Sequence, residues 1–223
     1  MTDSPSDLDA VNIVIREVSV HSEGQGWVVI NDSLRTFDLL TLTNGASVLL
    51  GSAVLEAGHY TQIRLLLGEG SNVVVDGIVY PLVVPSGTQT GIKLIHEFTL
   101  EPSFTYELML DFDASRSVNQ TGNGTYHLKP TIRVTPVATS GAIAGFVAPA
   151  SSKALVTATS LTDTASVYAD TLSGLFNIIA LPPSAYSLYI VPSDTIHKDT
   201  VLTNVQVTAG QVTSVGTITL ELK

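Results

Sequence analysis

The chain has 223 residues, no cysteine and a formal net charge of −10 at pH 7. Those figures exclude disulfide frameworks, thiolate metal sites and cysteine nucleophiles. Lys and Arg are scattered with no basic cluster, which makes nucleic acid and anionic membrane surfaces poor partners. Hydrophobic residues make up 44% of the chain and charged residues 13%, enough apolar material for a sizeable core without cross-links.

No apolar run reaches the roughly 18 residues of a spanning helix. The start, Met1-Thr2-Asp3-Ser4-Pro5, has neither the basic stretch nor the apolar segment of a signal peptide. From there, period-2 patterns dominate. Val11, Ile13 and Ile15 alternate with polar neighbours, and Val18 and Val20 continue in the opposite phase. The slip around Arg16-Glu17 predicts a β-bulge. Strands are expected at Trp27–Ile30, Tyr60–Leu67 and Val73–Val75. Asp76-Gly77 then predicts a tight hairpin into Ile78-Val79-Tyr80, because both turn residues tolerate positive φ. Tyr106, Leu108, Leu110 and Phe112 alternate over a further strand, and Ile132 and Val134 mark the last of this half. The one helical expectation is a short segment at Ala46–Leu50, with Asn44 or Ser47 near its start.

Thr135-Pro136-Val137-Ala138-Thr139-Ser140-Gly141 is small, uncharged and proline-containing, and reads as a domain seam. Beyond it the chain is rich in Thr, Ser, Ala and Val. Strands are expected at 142–147, 154–160, 166–170, 175–179, 186–191, 201–207 and 212–220, a pattern typical of a β-sandwich.

The first half resembles the domain of unknown function 4382 family. The segments that carry the resemblance are Thr2-Asp3-Ser4-Pro5 with Ala10-Val11, Glu17-Val18-Ser19-Val20-His21, and Ala57 through Leu65. Leu110-Asp111-Phe112-Asp113-Ala114 and Gly124 through Pro130 continue it in the same order. The resemblance implies an exported protein, in many relatives a lipoprotein, and no assigned activity. In relatives an apolar strand precedes the Thr-Asp-x-Pro motif, and here only Met1 stands in its place. The expectation is therefore that Met1 is internal to a longer precursor, or that the start is clipped or misplaced. Loss of such a strand would leave an open groove beside residues 1–20, which a neighbouring copy could fill.

The second half resembles the carboxypeptidase regulatory-like, transthyretin-type domain. The residues are Gly141-x-Ile143-x-Gly145, Ala158-Thr159, Thr171-x-x-Gly174-x-Phe176-x-Ile178, Leu181-Pro182-Pro183-x-x-Tyr186-x-Leu188 and Val205-x-Val207-x-Ala209-Gly210. Gly174 suits a tight turn ahead of Phe176, and Pro182-Pro183 stiffens the bend before Tyr186. Ser184-Ala185 departs from the glycine that relatives carry there. The resemblance implies a non-catalytic spacer, adhesion module or stabiliser.

Residues with chemistry to offer are few. His21, His59, His96, His127 and His197 show no helical zinc spacing and no His-x-His pair. Asp111 and Asp113 share one face at the end of a strand and form a candidate calcium pair, with backbone carbonyls and Ser117 as further oxygens. Turn capping by Asp113 explains the same pair. No Gly-x-Ser-x-Gly, P-loop or dinucleotide fingerprint is present. Trp27, the single tryptophan, reads as core or rim packing rather than a sugar-stacking platform, and no row of aromatics is evident. Asn119-Gln120-Thr121 and Asn123-Gly124-Thr125 fit the glycosylation pattern and suggest that residues 115–125 are exposed and mobile.

The chain is thus expected to be all-β, with two β-sandwich domains of Ig- or transthyretin-like, Greek-key type in tandem, at residues 1–137 and 141–223. The function expected is a non-catalytic, extracytoplasmic structural or adhesive protein of the cell surface, without a resident cofactor. A specific form is a fibre subunit assembling by strand exchange. The alternative is a glycan- or small-ligand-binding surface module, with calcium as its one candidate ion. Expected partners are other surface proteins, copies of the chain itself, or glycan, and neither nucleic acid nor a membrane span.

Overall fold

The computed structural model describes residues 8–85, 89–102 and 105–223. The chain is all-β, 55% strand and 6% helix, which excludes the mixed classes. By contacts it divides into two compact units. The first is Met1–Thr41, Ser47–Tyr106 and Ala114–Val134; the second is Leu42–Ala46, Glu107–Asp113 and Thr135–Lys223.

The strands of the first 136 residues are β1 (Ala10–Ser22), β2 (Gly26–Asn31), β3 (Arg35–Asp38), β4 (Gly58–Leu67), β5 (Asn72–Val75) and β6 (Ile78–Val83). They continue with β7 (Ile92–Leu100), β8 (Leu108–Phe112), the single-turn α1 (Ala114–Ser117), β9 (Val118–Gln120), β10 (Tyr126–Leu128) and β11 (Ile132–Pro136). Sheet order in the first unit is β7-β4-β1-β5-β6-β10-β9, with β2 and β3 also paired to β1.

β1 organises this unit. One edge pairs with β2 and then β3, the other with β4 and then β5. The register slips between Ile15 and Glu17, at the bulge expected from the phase change. Val14 bridges the passage from β4 to β5. Its N–H donates to Ser71 Oγ at 3.0 Å, and its carbonyl accepts from the Gly68 N–H at 2.9 Å. Both backbone groups stay satisfied where regular pairing stops. Val11, Ile13, Val20, Ile63, Leu65 and Leu67 point inward and are buried. Tyr60, Phe98 and Tyr106 form a continuous ring stack, with centroids 5.2 Å and 4.9 Å apart.

Three expectations need correction. The groove expected beside residues 1–20 is filled along most of both edges of β1, so no vacant strand slot lies beside residues 10–22. Residues 1–7, with the Thr2-Asp3-Ser4-Pro5 motif, lie outside the described residues. Second, Ala46–Leu50 is not helical. Two of its carbonyls are taken by side chains, Leu49 by Arg35 Nη1 at 2.9 Å and Leu50 by Asn31 Nδ2 at 2.6 Å. Those bonds hold the segment extended against β2 and β3 instead of letting it close i→i+4 bonds. Third, the segment 115–125 is not exposed throughout, because Ser117 and Val118 are buried between an exposed Arg116 and the exposed run 119–124. The Asp76-Gly77 hairpin forms as expected, with φ of 49° and 72°.

The second unit adds β12 (Gly141–Ala148), β13 (Leu155–Thr159), β14 (Thr164–Tyr168), β15 (Leu175–Leu181), β16 (Ala185–Val191), β17 (Thr200–Gln206) and β18 (Val212–Thr219). Each lies within a few residues of its expected position. They form two sheets, β15-β12-β18 and β14-β13-β16-β17. The sheets face each other across one core that includes Ile143, Val156, Phe176, Tyr186, Leu188 and Ile190, all essentially fully buried. Burial of each such side chain contributes roughly 1.5–3 kcal/mol. The Tyr186 hydroxyl donates to the Pro182 carbonyl at 3.0 Å, so its polar tip is satisfied inside the core.

Candidate functional site

Trp27 sits in a polar cluster that spans β2, β1 and β4. Its ring meets His21 edge-on, with centroids 5.2 Å apart, because the two residues are directly paired. Arg64 lies over the indole, its Cζ 4.3 Å from the ring centroid. The guanidinium also reaches Glu17 Oε1 from Nη2 at 2.8 Å and Ser19 Oγ from Nε at 3.1 Å. Glu17, Ser19 and His21 share one face of β1 by strand alternation. The guanidinium occupies a face of the indole, so Trp27 packs at the rim of the sheet and serves poorly as a sugar platform. In the sequence Arg64 stands out only as part of the family segment Ala57–Leu65, and nothing local links it to partners 45 and 47 residues away.

The candidate calcium pair lies at the end of β8. Asp111 is partly buried in the strand, and Asp113 is buried just before α1. Among the described residues no three His, Asp or Glu side chains converge as a metal set. A cation here would draw its remaining ligands from hydroxyls and backbone carbonyls.

The histidines are dispersed. His197 bonds Asp194 Oδ2 through Nδ1 at 2.8 Å, and its backbone N–H donates to Asp194 Oδ1 at 2.9 Å. His21 pairs with Thr61 at 3.0 Å. Burial lowers the pKa of His96, favouring its neutral form. A shallow cleft of about 270 Å3 in the second unit is lined mainly by apolar groups, among them Met109, Val137, Ala142, Ile179 and Val212, and by no titratable side chain.

The outer face of the β14-β13-β16-β17 sheet has a different character. Strand alternation puts Val156, Ala158, Val167, Leu188 and Ile190 in the core and their neighbours outside. Register then assembles two outward rows. Tyr168, Leu155 and Val191 form one; Ser166, Thr157, Tyr189 and Val201 form the next. Thr164, Thr159 and Ser187 continue the face as hydroxyls. Tyr189, Val191 and Val201 are 45%, 43% and 50% exposed, and no outward position of these four strands carries a charge. Two tyrosines therefore share a face that the sequence had not suggested, because they stand 21 residues apart on strands that are not adjacent.

Residues 1–130 match the family described as Domain of unknown function (DUF4382). The chain belongs to this family. The DUF4382 match spans β1 to β10, so it covers the Arg64–Trp27 cluster and stops before β11. Glu17, Ser19, His21 and Arg64 all fall in the segments through which the sequence resembles DUF4382 relatives. The cluster thus ties two of those segments together, β1 to β4. No curated protein matches the chain. Among solved structures, it is similar to the TIE protein of Bacillus anthracis at 8% identity and a TM-score of 0.28, covering 97% of this chain and 35% of that one. It is similar also to a candidate cell adhesion protein of Bacteroides fragilis at 13% identity and a TM-score of 0.25, covering 95% and 84%. The chain spans about a third of the length of the first. At such scores neither structure bears on the fold or function of this DUF4382 protein.

Proposed function

We propose that this chain is a non-catalytic, extracytoplasmic structural and adhesive module of the cell surface. The observation that carries the reading is the uncharged, partly apolar outer face of the β14-β13-β16-β17 sheet, on a chain whose net charge is −10. Exposed apolar and aromatic surface without charge is characteristic of contact surfaces. The resemblance of residues 141–223 to carboxypeptidase regulatory-like accessory domains supports the same reading, as does the exported character of DUF4382 relatives. Among the described residues no helix is long and apolar enough to cross a membrane.

Assembly by strand exchange at the N-terminus loses its argument where β1 is paired on both edges. A fibre form would use the outer edge of β18 instead, which ends its sheet and carries no charged residue or proline to block pairing. The test of location is protease treatment of intact source cells, followed by immunoblotting. The chain is expected to be cleaved before lysis. Protection until lysis would place it inside the cell and end the proposal.

A further inference from the structure

For the outer face of the β14-β13-β16-β17 sheet we propose one occupant, a neutral oligosaccharide. The inference rests on the surface-module reading and names the partner of that face.

Charge is the first argument. The outward positions of these strands carry Thr, Ser, Tyr, Val, Leu, Ala, Asn and Gln, and no Asp, Glu, Lys or Arg. A face that offers no counter-charge gains nothing from an anionic or cationic ligand. The other sheet of this unit is also uncharged on its outer side, and there the chain covers part of the face while Phe146 and Val212 stay exposed. Asn44 Oδ1 accepts the Asn177 N–H at 3.1 Å on β15, and Met109 lines a cleft with Ala142, Ile179 and Val212. On the β14-β13-β16-β17 face, Tyr189, Val191 and Val201 stay exposed together on two adjacent strands, beside the hydroxyl row.

Chemistry is the second. Tyr168 and Tyr189 supply amphipathic rings, which cover the apolar face of a sugar at little entropic cost. Thr157, Thr159, Ser166 and Ser187 lie beside them and present hydroxyls that both donate and accept, as sugar hydroxyls require. Thr157 and Ser166 already bond each other at 3.1 Å, which holds both hydroxyls in place between the two rings. Strand spacing and register put the two tyrosine backbones roughly 12 Å apart, a span for a short oligosaccharide rather than one sugar.

Size is the third. Four strands of about five residues give a face on the order of 300 Å2. A stable protein dimer buries about 800 Å2 on each partner. The face is too small to hold a second copy by itself, and large enough for a few sugar units.

The experiment is affinity electrophoresis of the whole chain in gels containing laminarin, yeast mannan, glycogen or xyloglucan, with alginate as the anionic probe. At least one neutral polysaccharide is expected to retard the wild type. Tyr189→Ala and Tyr168→Ala should each weaken that retardation about tenfold, while Tyr189→Phe, which keeps the ring, and Val79→Ser, on β6, should not. Circular dichroism melts of each variant separate lost binding from lost folding. Retardation by alginate alone, retardation by none of the four neutral probes, or retardation that survives the double alanine variant would overturn the inference. Cleavage of the chain on intact cells combined with any of those results sinks the glycan and leaves the surface module standing. Protection on intact cells sinks the surface reading itself.

Discussion

Arg64 sits over the Trp27 ring with its Cζ 4.3 Å from the ring centroid, while its Nη2 bonds Glu17 at 2.8 Å. Three strands are joined by this one side chain, which, like its partner Glu17, is only about one-fifth exposed. A charge-assisted bond of this kind contributes about 1.5–3 kcal/mol, and a cation over an indole about 0.5–1 kcal/mol more. Arg64→Met keeps the apolar stem and removes both. We expect a loss of about 2 kcal/mol in urea unfolding. Trp27 is the only tryptophan, so its emission reports the cluster directly. An unchanged midpoint and unchanged emission would show that the cluster contributes nothing.

Glycines in turns are not equivalent, and two of them make the contrast. Gly174 has φ of 75°, and a β-carbon there would lie 2.2 Å from the Val147 carbonyl oxygen. Gly77 has φ of 72°, with nothing within 4 Å of the same added atom. Gly77→Ala is expected to cost about 1 kcal/mol, from backbone strain alone. Gly174→Ala is expected to cost about 3 kcal/mol or more, because β12 must also move. Thermal melts of the two variants should differ accordingly, and equal losses would contradict the close approach.

Acid should destabilise the chain in two stages. His96 is held below its ordinary value of 6.5 by burial. Its unfolded form binds a proton that the folded form resists, so its contribution is full above about pH 6.5 and is lost as pH falls toward the folded value. Asp194 is also lowered from 3.8: burial pushes it up, but bonds from the His197 ring and from the His197 and Ile196 amides outweigh that. Its contribution is present above the unfolded value and is lost as pH falls through the folded one. Melting temperatures measured from pH 8 to pH 3 should decline gently first and steeply below about pH 4. His96→Leu should flatten the first decline, and Asp194→Asn should soften the second.

For Asp111 and Asp113, the reading without a cofactor predicts that EDTA and added calcium leave the melting temperature unchanged. A chelator-sensitive melting temperature that becomes insensitive in the D111N/D113N variant would instead establish a calcium site there.

The bulge at Arg16-Glu17, the Asp76-Gly77 hairpin and all seven strands of the second sandwich were legible in the amino-acid sequence. Each is written locally, in a phase change, in a pair of residues tolerant of positive φ, or in alternation over five to eight positions. β3 and β7 were not: Arg35-Thr36-Phe37-Asp38 holds one apolar residue, and in β7 an outward Ile95 and an inward-phase His96 break the alternation. Ala46–Leu50 was misread because its helical propensity is weak and side chains from Asn31 and Arg35 outbid it.

The sites divide along the same line. By itself the sequence determined the strand class, the inward face of each strand, the absence of thiol chemistry and the family of the first half. Only the tertiary structure decided which outward residues share a surface. Tyr168 and Tyr189 come onto one face, and Arg64 comes to Trp27, through strand register. Register is a non-local quantity, set where whole strands bury their apolar sides together, and no short stretch of sequence contains it.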